Sequence, residues 1–88
     1  MAAQTVYVLT YTHKHGEDVT VYSTEHAAKR AAGDIARVYW ETAVASDYAL
    51  PGMRKSPGGM GDEEVTRQYF MVMGNHGESY SITATDVQ

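Results

Sequence analysis

Between Ser23 and Ala45, apolar side chains recur at Ala28, Ala31, Ala32, Ile35, Tyr39 and Ala43, the spacing of one helix face. Ser23 or Thr24 offers a side-chain oxygen to cap the first turn, and Glu25 puts a carboxylate at the positive end of the helix. The stripe is made of small residues, with Gly33 among them, so the helix backbone is expected to lie close against a sheet. Lys29, Arg30, Arg37 and Glu41 then occupy the wetter face, and Trp40 sits at the margin of the core.

The flanking segments supply that sheet. "TVYVLTY" (5–11) is rich in β-branched and aromatic residues, and "DVTVYS" (18–23) alternates with period two. The intervening "THKHGED" reads as a turn in which Gly16 can take a positive φ, so the two strands form a hairpin. Near the end of the chain "ESYSITATDV" alternates again, with Tyr80, Ile82 and Ala84 inward and Ser79, Ser81 and Thr83 outward.

From Ser46 to Gly61 two prolines and several glycines interrupt any periodicity, which marks a mobile loop and not a linker to a second domain. "GDEEVTRQYFMVMG" (61–74) favours a short helix, with Asp62 as its N-cap and Val65, Tyr69, Val72 and Met73 on one face. The rival is a strand of a second hairpin. The expected architecture is therefore α+β, a two-layer β-β-α-α-β domain of residues 1–88 with helices on one face of a three-stranded sheet; the alternative is β-β-α-β-β.

Composition excludes several functions. Eleven acids against seven bases leave a net charge of −4 with no basic stripe, which disfavours nucleic-acid binding. The absence of cysteine removes disulfides and thiolate zinc sites, and fits a cytoplasmic location. No segment approaches the roughly 18 apolar residues of a membrane helix, and the N-terminus lacks a signal-like pattern, so a soluble protein is expected.

Three clusters of chemistry-bearing residues stand out. His13 and His15 sit two apart on a strand, with Glu17 or Asp18 as a neighbouring oxygen ligand, so they are the candidates if a metal is held here; the favoured reading is the exposed tip of a turn, and no metal site is assigned. No nucleophile elbow or cysteine nucleophile is present, no histidine has an evident orienting partner, and no catalytic residue is assigned. Arg54 and Lys55 lie in the glycine-rich loop ahead of a helix start, but Asp62, Glu63 and Glu64 already occupy that start, so the loop is read as a contact surface and not a phosphate cradle.

The third cluster is aromatic. If Val6, Val8, Val19 and Val21 face the helices, then Tyr7, Leu9, Tyr11 and Tyr22 share the opposite, exposed face, and tyrosine clusters are enriched in protein interfaces. The alternative is that the first strand is central and some of these aromatics pack under the 46–61 loop or the chain ends.

"VYVLTYTHKHGEDVTVYSTEHAAKRAAGDIARVYW" followed by "YFMVMGNHGESYSI" resembles small uncharacterised reading frames of actinobacteria and their bacteriophages. The resemblance rests on the V-Y-V-x-x-Y-x-H-x-H-G-x-D-V core before an Ala-rich helix that ends in an aromatic pair. It implies an accessory protein of a phage or mobile element, a setting in which small acidic proteins bind a host protein. The expected function is thus non-enzymatic protein binding without a cofactor. The partner-contacting candidates are Tyr7, Leu9, Tyr11, Tyr22, Arg54 and Lys55, and a homodimer is one form of the assembly. The alternatives are a metal- or His-dependent module at the hairpin turn and a DNA-contacting regulator.

Overall fold

The computed structural model describes residues 4–87. Its strands are β1 (Gln4–His13), β2 (Gly16–Tyr22) and β3 (Ser79–Val87), and its helices are α1 (Glu25–Val38), α2 (Trp40–Val44) and α3 (Asp62–Met73), with a 3-10 turn at Gly74–His76. The fold is α+β in the order expected. The three strands form one antiparallel sheet in the order β2-β1-β3, so β1 is central.

Hairpin geometry follows from one glycine. Lys14 and His15 make the turn, no non-glycine residue among those described has a positive φ, and Gly16 at φ 127° brings the chain back into pairing with His13. The register sets Tyr7 opposite Tyr22 and Leu9 opposite Thr20 on one side of the sheet, and Val8 opposite Val21 on the other.

Thr24, not Ser23, caps α1: its hydroxyl accepts from the Ala27 N–H at 3.1 Å. The helix expected to run on to Ala45 breaks at Tyr39 (φ −103°, ψ 14°) and restarts as α2. The break exchanges the roles of two neighbours: Tyr39 is 48% exposed, whereas Trp40 is 1% exposed and central, not marginal. The indole can be buried because its N–H donates to the Arg54 carbonyl at 2.9 Å, a partner supplied by the loop.

That loop covers the core. Leu50, Met53 and Met60 pack against a cluster of Ala36, Trp40, Ala43, Val65, Tyr69, Val72 and Met73. Residues 62–73 are helical, which overturns the rival hairpin and the β-β-α-β-β order. Gly61 is the N-cap of α3, and Asp62 lies in the first turn with Glu63 and Glu64, where acids suit the helix dipole.

Gly33 does set a close approach, but to α3 and not to the sheet. A Cβ there would lie 3.3 Å from the Asp62 Cα and 3.1 Å from its Oδ1. Arg37 seals the same junction, donating to Asp62 Oδ1 at 2.7 Å and to the Met60 carbonyl at 3.2 Å. Asp62 foremost, and Asp34 after it, hold the guanidinium in its charged form above its already high ordinary pKa.

The result is a thin, extended molecule of 51 × 28 × 16 Å. Its radius of gyration is 14.3 Å, against roughly 12 Å for a compact chain of this length. The helices cover only one side of the sheet.

Candidate interaction surface

The two faces of the hairpin are occupied in the reverse of the expected sense. Leu9 is 2% exposed and Tyr11 8%, with Tyr7 and Tyr22 half-buried beside them, so these four lie together beneath the helices. Val19 and Val21, expected in the core, are 61% and 58% exposed. The reason is the alanine stripe itself. Ala28, Ala32 and Ala36 are buried but short, so the space between helix and sheet must be filled from the sheet side. Leucine and tyrosine reach across that space and valine does not.

Tyr11 also has a polar reason to point inward. Its hydroxyl donates to Glu78 Oε1 at 2.6 Å, and the Tyr69 hydroxyl donates to the same oxygen at 2.9 Å. One carboxylate thereby ties β1, α3 and the start of β3. Burial foremost, and then the bonds to Glu78, push both phenols well above the ordinary tyrosine range. Phe70 packs edge-on to Tyr11 and Tyr69 and lies 4.6 Å from Tyr80, completing an aromatic group around this brace.

A cleft of about 630 Å³ opens beside the brace, lined by His13, His15 and Asp18 of the hairpin and by Ser46, His76 and Glu78. His13 Nε2 is 3.0 Å from Asp18 Oδ2, and its Nδ1 accepts from the His15 N–H at 3.3 Å. The His13 and His15 rings are 6.1 Å apart, and no group of three histidine, aspartate or glutamate side chains among the described residues is placed to hold a metal ion. The His13 ring thus bridges Asp18 and the His15 backbone across the hairpin tip.

Ser46 Oγ lies 2.7 Å from His76 Nε2, a nucleophile-to-base distance. The same oxygen accepts from the Tyr48 N–H, and the Tyr48 ring packs edge-on to His76 at 5.5 Å. Among the described residues the other ring nitrogen of His76 carries no carboxylate partner. Sequence reading missed this contact and the Glu78 brace. The signal for the brace was two inward tyrosines in need of an acceptor, with one carboxylate just ahead of the last strand.

Arg54 and Lys55, the candidate contacts of the loop, are exposed. Arg54 donates to the Gly58 carbonyl at 2.7 Å and offers its own carbonyl to Trp40, so it closes the loop locally.

No described helix or loop covers the other side of the sheet. By register it carries Val6, Val8, Thr10 and Thr12 of β1, Glu17, Val19 and Val21 of β2, and Ser79, Ser81, Thr83 and Thr85 of β3. Glu17, within reach of the Thr12 hydroxyl at 3.3 Å, is its one charged residue. No protein family, curated protein or solved structure matches the chain.

Proposed function

We propose that the chain is a non-enzymatic accessory protein that acts by binding another protein through this open sheet face. The observation that supports it is the row Val6, Val8, Val19 and Val21, in which the two outermost valines are more than half exposed on a surface with a single charge. Adjacent apolar side chains on a rigid sheet bury area on contact, and β-branched residues lose little rotamer freedom in doing so. The surrounding threonines and serines keep the face wettable when it is unoccupied. With almost no charge to offer, the face suits a partner patch that is apolar and uncharged, since an ionic partner would lose hydration without compensation.

The sheet thus remains the binding element, with valines taking the place expected for Tyr7, Tyr11 and Tyr22. The test is a photo-crosslinking residue placed at Val21 or, as control, at exposed Arg67, in the producing cells. A single heavier adduct formed from Val21 alone is expected. Val19→Thr with Val21→Thr should lower capture of that partner by about tenfold or more, from the apolar burial lost. Equal adducts from both positions, or capture unchanged by the threonines, would sink the reading.

A further inference from the structure

We infer that β3 is an assembly edge, and that the outer side of its Ser79–Thr85 stretch pairs antiparallel with the same stretch of a second copy to make one continuous sheet. The edge is a different surface from the open face, and its use needs no partner there.

The two outer strands of the sheet differ in how they meet solvent. β2 spans seven residues and carries Glu17 and Asp18, the short and charged character that discourages edge-to-edge pairing. β3 spans nine residues, and from Ser79 to Thr85 it has no charge, proline or glycine. Every described residue of β3 except Ile82 is exposed, and no other described segment pairs with its outer side. An uncharged edge of this length, free of proline and glycine, is a template for another strand.

Its side chains suit its own copy. About a two-fold axis normal to the sheet, antiparallel pairing keeps the helix-covered faces of both copies on one side. With Ile82 on the axis, Ile82 meets Ile82, Tyr80 meets Ala84, and Ser81 meets Thr83. No like charges meet along that stretch, and β-branched pairs of this kind favour the ladder. The pairing also covers Tyr80, which is left partly exposed at the edge beside a groove lined by Lys29, Asp62 and Glu63. Just beyond the stretch the same register sets Asp86 opposite Glu78 of the second copy, but each carboxylate is engaged within its own chain, Asp86 by the Thr5 hydroxyl at 2.9 Å and Glu78 by the Tyr11 and Tyr69 hydroxyls.

The inference is tested by sedimentation of the full chain over a concentration series. Ser81 and Thr83 are exposed, so substitution there leaves the core untouched. Wild type is expected to dimerise. Ser81→Lys with Thr83→Lys should weaken the dimer by about tenfold or more through like charges across the axis. Ser81→Glu with Thr83→Glu should do the same, and mixing the two variants should restore dimers. Val21→Lys, on the far edge of the sheet, should dimerise as wild type does. A wild type that stays monomeric throughout overturns the inference. So does failure of the mixture to recover, or a Val21→Lys variant that dissociates as readily, which would move self-association to the open face.

Discussion

At the scale of single residues, the Glu78 carboxylate is the most consequential group, because two buried phenols spend their only donors on one of its oxygens. Tyr69→Phe removes one donor to a charged acceptor and should lower stability by about 1.5 kcal/mol or more in denaturant titrations. The pH dependence follows from the same pair. Both phenols ionise above the ordinary tyrosine value of 10.0, so between that value and their folded-state values the unfolded chain has released protons that the folded protein retains. Their contribution is therefore complete below pH 10 and is lost as pH rises beyond it. Melting temperature should fall across the alkaline range, and less steeply in Tyr69→Phe; an identical slope would contradict the brace.

Among elements, the contact between α1 and α3 depends on the missing side chain at Gly33 and on Arg37 reaching Asp62. Gly33→Val should wedge the two helices apart and cost about 2 kcal/mol, more than helix propensity could return. Equilibrium unfolding reads this directly, and a variant as stable as wild type would show that α3 can shift. Both helices were legible in the sequence because alanines at helical spacing, and Val65, Tyr69, Val72 and Met73 in α3, mark one face each. The break at Tyr39 was not, since it serves a Trp40 bond to a carbonyl fourteen residues further along. The facing of the hairpin was equally hidden. Both of its sides are apolar, valines on one and leucine with tyrosines on the other, so alternation alone could not say which is covered. The usable clue was size, because a helix lined with alanine needs long side chains opposite it.

For the molecule as a whole, the loop that carries Lys55 lies between two halves that hold each other. β1 with β3, and α1 with α3, each pair a segment before the loop with one after it. Trypsin should therefore cut first at exposed Lys55, and the two fragments should co-elute as one species in size-exclusion chromatography under native conditions. Separate elution would mean that the loop, through Leu50, Met53 and Met60 on the core, contributes more to cohesion than the sheet does. One sheet under helices was legible in the sequence, but not which side of the sheet stays open, because an open face is defined by what fails to cover it.

The register that sets Gln4 opposite Val87 has a mechanical consequence. The two strands run antiparallel and these residues lie at the same end of their ladder, so tension applied between them pulls across the strands, along the hydrogen bonds. Load then falls on one pair at a time, beginning with Gln4 and Val87, and the ladder opens like a zip. A tether attached at these two points should extend at low force and in small steps, whereas one attached at Gln4 and Ser79 would load the whole ladder in shear and resist until it failed at once.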